Sequence, residues 1–170
     1  MSIHKTTLTG AAGEHYVMYK LLRLGHIAGL APQGAPNSDI IVSNVVGNKS
    51  VSIQVKTSLQ KGADKGWHMR AKHENIKGEN LFYCFLTIPQ SGSEPITYII
   101  PSNVVANTIK NAHNLWMATP GKKGQKHNDT DMRRLIPDYR RTMKVENKFT
   151  DEHSLGWLDK YKENWDLLEL

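Results

Sequence analysis

Residues 37–56 read Asn-Ser-Asp-Ile-Ile-Val-Ser-Asn-Val-Val-Gly-Asn-Lys-Ser-Val-Ser-Ile-Gln-Val-Lys, and the fold turns on this stretch. Two apolar runs, 39–46 and 51–57, flank Val46-Gly47-Asn48-Lys49. Gly-Asn between strand-like runs signals a β-hairpin. In the second run Val51, Ile53 and Val55 alternate with Ser52, Gln54 and Lys56. Successive strand side chains point to opposite faces, so Gln54 and Lys56 are expected side by side. If Asp39 opens the neighbouring antiparallel strand, its carboxylate lies close to both. A carboxylate, an amide oxygen and a lysine at one end of a sheet make a place for a hard cation and a phosphate.

Upstream, the pattern predicts a helix from an N-cap at Thr9 to a stop at Gly25, with Val17, Leu21 and Leu24 on its apolar side. Glu14 then falls in the first turn, where a carboxylate suits the helix macrodipole. His26–Ala31 reads as a short strand, and Gly34 and Pro36 turn the loop that leads to Asp39. Downstream, Trp67-His-Met-Arg reads as a strand and 71–77 as a brief helix. Leu81–Ile88 is nearly continuous in apolar residues, as a buried central strand would be. Ile96–Pro101 follows as another strand, and Ser102 is placed to cap a helix over 103–110. Residues 111–150 carry little pattern. Leu155, Leu158, Tyr161, Trp165 and Leu168 recur at helical spacing and predict a terminal amphipathic helix packed as core.

The totals set bounds. A chain of 170 residues with 39% apolar and 22% charged residues is expected to form one domain, 1–170. No apolar run reaches membrane-spanning length and no apolar leader opens the chain, so a cytoplasmic protein is expected. The single cysteine, Cys84, sits inside a strand-like run and reads as a small buried hydrophobe. The net charge of +6 points to a polyanionic partner. Between Pro120 and Lys148 there are nine Lys or Arg and four Asp or Glu, a net +5. Such a stretch is either a solvated loop or a phosphate-contacting surface.

An early Glu14 on a helix, Asp39 on a strand and Gln54-x-Lys56 on the next strand resemble the PD-(D/E)XK nuclease superfamily. The likeness is to its branch with Gln in place of the acidic residue, found among Mrr-type restriction proteins and group I intron homing endonucleases. Gly10-Ala-Ala-Gly-Glu-His-Tyr-Val, Ser-Asp-Ile-Ile-Val and Ile-Gln-Val-Lys-Thr-Ser carry the resemblance. It implies a restriction-endonuclease-like α-β-β-β-α-β core over about 9–101: an α/β fold with a mixed sheet flanked by helices. A basic, partly irregular extension and a terminal helix would occupy 102–170.

The resemblance further implies a Mg²⁺-dependent DNA endonuclease of restriction or homing type, with Mn²⁺ able to substitute. Glu14, Asp39, Gln54 and Lys56 would be catalytic. The metal would be held by Asp39, Gln54, the Val55 backbone carbonyl and Glu14, while Lys56 would act on the attacking water. Gln54 is neutral where an anionic ligand is usual, and Ser38 stands where the founding motif has Pro. Degenerate members of the superfamily no longer cut, so an inactive module that binds DNA or a protein is the alternative. DNA phosphates are expected at Lys61, Lys65, Arg70, Lys122, Lys123 and Lys126. Ser38, Thr57 and Ser58 are further polar neighbours for phosphate. Cutting both strands at one place needs two active sites, so a homodimer is expected.

Other chemistries lack their residues. The eight histidines form no recognised zinc or HNH spacing, so His15, His68, His73 and His113 read as surface or hydrogen-bonded residues. Gly121-Lys-Lys-Gly is not a P-loop.

Overall fold

A computed structural model describes residues 5–59, 64–89, 92–121 and 123–170. The first helix, α1 (Lys5–Arg23), starts a turn earlier than Thr9 predicts and stops just before Gly25, whose φ of +88° suits glycine. Glu14 therefore lies in mid-helix, and the first turn holds no acidic residue. The macrodipole does not explain it. Val17 and Leu21 are fully buried, whereas Leu24 is exposed beyond the helix end.

Five strands form the main sheet: β1 (Ile27–Leu30), β2 (Ile40–Ser43), β3 (Ser50–Ser58), β5 (Leu81–Thr87) and β6 (Ile96–Pro101). They lie in that spatial order, antiparallel except for the parallel β3–β5 pair. The hairpin is present, in register Ile40↔Ile53 and Val42↔Val51. Its loop is longer than the pattern implies: β2 stops at Ser43, and Val45 and Val46 are exposed. The Asn44 side chain holds that loop, accepting from Gly47 N at 3.0 Å and donating to Asn48 Oδ1 at 2.7 Å.

A parallel pair needs a crossover, usually a helix. Here the path from β3 to β5 carries β4 (Trp67–Arg70) and a single 3-10 turn, Ala71–Glu74, instead of the helix predicted over 71–77. β4 pairs with β7 (Met132–Leu135) in a separate two-stranded ribbon. α2 runs Ser102–Ala118, well past 110. Pro101 occupies its N-cap, and the Ser102 hydroxyl instead donates to Gly78 O at 3.0 Å and accepts from Gly78 N at 2.9 Å.

The sheet separates two cores. Ile53 and Val55 face α1 with Val17, Leu21, Val42 and Cys84. Tyr83 and Phe85 face the ribbon and α2, with Trp67, Met69, Leu135 and Ile109. Cys84 is completely buried as expected, and burial raises its thiol pKa.

The single terminal helix is not formed. After the short helices α3 (Tyr139–Met143) and α4 (Lys148–Glu152), the tail makes 3-10 turns at Asp159–Tyr161 and Trp165–Leu168. Leu155 is 81% exposed, while Leu158, Tyr161, Trp165 and Leu168 are buried. Gly156 (φ +95°) and Glu163 (φ +49°) break the helical path. Glu163 is held to β6, accepting from Thr97 N at 2.8 Å and Thr97 Oγ1 at 2.6 Å, and to α1 through Lys20 at 3.2 Å. Among the described residues no helix is long and apolar enough to cross a membrane.

Candidate active site

Strand alternation does what the sequence implies. Gln54 and Lys56 leave β3 on the face opposite Ile53 and Val55, and both line one cleft of about 530 Å³. Asp39 stands immediately before β2. Its backbone N–H donates to Ile53 O at 2.9 Å, and its Oδ2 accepts from Val55 N at 2.7 Å. A strand residue presents its N–H and C=O on the same side, so the Val55 carbonyl projects toward Asp39 as well.

Glu14 reaches this group from α1. Close approach of helix and sheet is possible because residue 13 is glycine: a Cβ there would stand 1.9 Å from Thr57 Oγ1. Burial raises the Glu14 pKa first and the Asp39 charge second, while His15 and Lys56 oppose the shift. Lys56 is half-buried, and burial lowers its ammonium pKa; Asp39 and Glu14 oppose that, and Lys72 adds to it. Glu14, Asp39 and Lys56 thus feel one another's charge. Thr57 turns away from the cleft, its Oγ1 buried beneath α1. Ser38 Oγ is directed to Ile40 O at 3.4 Å.

Gln54 is 8% exposed, and among the described residues its Oε1 has no hydrogen-bond partner. A buried amide oxygen without a donor is costly, on the order of 1–3 kcal/mol. A hard cation relieves that cost directly, since Mg²⁺ takes carboxylate and carbonyl oxygens. Among the described residues no three His, Cys, Asp or Glu side chains gather. A cation at this place would therefore depend on Gln54 Oε1 and the Val55 carbonyl beside the two carboxylates. The donor set fits.

Apart from Arg70, the rest of the cleft was not legible as a site. His68, Met69, Arg70, Lys72, His73, Asp131 and Met132 complete its lining. His73 is only 3% exposed, and its Nδ1 lies 2.8 Å from the hydroxyl of the fully buried Tyr83. Burial first, then Lys56 and Lys72, pull the His73 pKa down to about 4; Asp131 opposes this and Arg70 adds to it. Burial and the Asp39 charge raise the Tyr83 pKa. The hydroxyl therefore donates and the neutral imidazole accepts. Sequence reading placed His73 only as a surface or hydrogen-bonded residue. Its one signal was its position just after a predicted strand.

Of the expected DNA contacts, Arg70 lines the cleft. Lys65, Lys123 and Lys126 are exposed outside its lining, and Lys61 and Lys122 lie outside the described residues. His15 is exposed, His68 contacts Arg134 at 3.0 Å, and His113 contacts Asp129 at 2.8 Å, in keeping with structural roles.

No family model and no curated protein matches the chain. Among solved structures it is similar to a bacterial homing endonuclease, I-Ssp6803I, with a TM-score of 0.54 and 13% identity, covering 98% of this chain and 92% of that one. It is also similar to Hjc, a Holliday junction resolvase from the archaeal hyperthermophile Archaeoglobus fulgidus, with a TM-score of 0.44 and 12% identity over 78% of this chain and 88% of that one. The helix, the hairpin, the parallel β3–β5 pair and the near full-length likeness to I-Ssp6803I agree: the chain has a restriction-endonuclease-like fold, as expected.

Proposed function

We propose that the chain is a divalent-metal-dependent endonuclease that hydrolyses phosphodiester bonds in DNA. The observation that carries the reading is the buried, partnerless Oε1 of Gln54 in the wall of the Lys56 cleft, beside the Asp39 carboxylate fixed to β3. The homing-endonuclease neighbour supports DNA as the substrate class.

Asp39, Gln54 and the Val55 carbonyl would hold Mg²⁺ or Mn²⁺, with Glu14 completing the set. Bound there, the cation supplies Lewis-acid stabilisation of the charge added at phosphorus. Lys56 orients the attacking water and takes its proton, a task eased because burial lowers its pKa. In its charged form the same ammonium offsets phosphate charge. Arg70 and Lys72, at the cleft, and the exposed Lys65, Lys123 and Lys126 would draw the DNA backbone in. A homodimer would bring two such sites to one duplex.

The test is cleavage of supercoiled and branched DNA in Mg²⁺, Mn²⁺ or EDTA, with wild type and Lys56→Ala side by side. Metal-dependent nicking should fall by about 100-fold or more in the variant while DNA affinity stays nearly unchanged. Binding without cleavage by either form, and without metal uptake at Asp39, would make the chain a DNA-binding module instead. The neutral Gln54 is the feature that favours that second reading.

A further inference from the structure

The β4–β7 ribbon has two unlike faces. Its inner face is anchored: Trp67, Met69 and Leu135 are core residues, Trp67 Nε1 donates to Leu86 O at 2.9 Å, and Arg133 is ion-paired with Glu74. Its outer face presents His68 opposite Arg134 and Arg70 opposite Met132. Arg134 is tied down, donating to Asp64 Oδ1 at 2.6 Å and Gly66 O at 3.0 Å.

Arg70 is held far more loosely. Its partner Asp131 stands 3.6 Å away, and the two side chains are 74% and 62% exposed. An exposed pair at that distance contributes little, so the guanidinium fork is available. Asp131 itself is fixed at the root of the ribbon, its carbonyl accepting from Ala71 N at 2.8 Å. Met132, directly across from Arg70, is 57% exposed and packs into neither core. Both side chains line the cleft that holds Lys56.

We infer that the outer face of the β4–β7 ribbon is a sequence-reading element that enters the major groove of duplex DNA, with Arg70 and Met132 as the reading pair. This rests on the nuclease reading above and extends it from phosphate attraction to base discrimination. Size fits. Two paired strands lie about 4.8 Å apart, and the major groove is about 12 Å wide and admits a two-stranded ribbon. Charge fits as well, because Arg70, Lys72 and Lys56 line the cleft, whose lining carries one carboxylate, Asp131. The chemistry is complementary within the pair. Arg70 offers a bidentate donor fork of the kind that guanine O6 and N7 accept, and Met132 offers an apolar contact for a thymine methyl.

The experiment is a binding selection from a pool of randomised-sequence duplexes in EDTA, so that binding is read without cleavage. Wild type, Arg70→Ala, Arg70→Lys, Met132→Ala and Lys123→Ala are run in parallel. All these side chains face outward, so the fold is retained. Wild type should enrich a consensus. Arg70→Ala should lose on the order of 10- to 100-fold in discrimination at one position, with Arg70→Lys restoring only part of it. Met132→Ala should relax a neighbouring position, and Lys123→Ala should weaken all sequences alike. Duplex binding with no consensus, or a consensus unchanged in both Arg70→Ala and Met132→Ala, overturns the ribbon as a reader and leaves the nuclease reading standing. Failure of wild type to bind any duplex overturns both.

Discussion

The Asp39 carboxylate accepts a hydrogen bond from the Val55 backbone N–H at 2.7 Å, so the side chain that precedes β2 is locked onto the strand carrying Gln54 and Lys56. Asp39→Ala leaves that N–H unpaired and should cost about 1–2 kcal/mol in urea unfolding. Asp39→Asn keeps an acceptor oxygen and should stay within about 1 kcal/mol of wild type, yet lose cleavage as fully as Asp39→Ala. Equal destabilisation by both would mean that the hydrogen bond does not hold the strand start.

Gly13 decides whether α1 can bring Glu14 to the sheet. A Cβ at residue 13 meets Thr57 Oγ1 at 1.9 Å and Leu86 Cδ2 at 3.1 Å. Overpacking of this kind costs about 1–3 kcal/mol. Gly13→Ala should therefore lower stability and cleavage together. Thr57→Ala removes the atom in the way, and that hydroxyl has no hydrogen-bond partner among the described residues. The double variant Gly13→Ala/Thr57→Ala should recover much of both losses. Denaturation midpoints of the three variants check this, and purely additive losses would place the strain elsewhere.

Gln54→Glu tests the ligand role without relying on turnover. A buried carboxylate lacking a partner destabilises the metal-free protein, whereas a cation that binds only the folded state returns stability by mass action. The variant should melt below wild type in EDTA and gain more than wild type on adding Mn²⁺. Identical gains in the two proteins would place the metal away from Gln54.

How much of this was legible follows from the range of each signal. Period-two alternation in 51–57 is local, so the hairpin and the shared face of Gln54 and Lys56 could be read directly. Glu14 was singled out by the family resemblance, and its expected first-turn position was wrong, since its place in mid-helix depends on where α1 begins. The ribbon pairs Arg70 with Met132 across 62 positions, and Met-Arg-Arg-Leu gives no strand signature of its own. His73 and Tyr83 meet only through the β3–β5 crossover. In the tail, three- and four-residue spacing arose from two 3-10 turns, the first burying Tyr161 and the second Trp165 and Leu168. Glu163, in a left-handed conformation, separates them, and Gly156 does the same before the first.

The His73–Tyr83 pair should shape acid stability. Burial and the neighbouring Lys56 and Lys72 outweigh Asp131 and pull the pKa of the native imidazole down from its ordinary 6.5 to about 4. Between those values the unfolded chain takes up a proton that the native chain refuses, so stability falls as pH drops through that window. From pH 7 to pH 5 the loss from this group should approach about 2 kcal/mol. His73→Gln removes the titration and should lose that much less over the same interval. Tyr83→Phe leaves Nδ1 without its donor and should cost about 1–2 kcal/mol at pH 7. Urea unfolding of the three proteins at both pH values checks the pair. Equal acid losses in wild type and His73→Gln would mean that the ring is not held neutral in the fold.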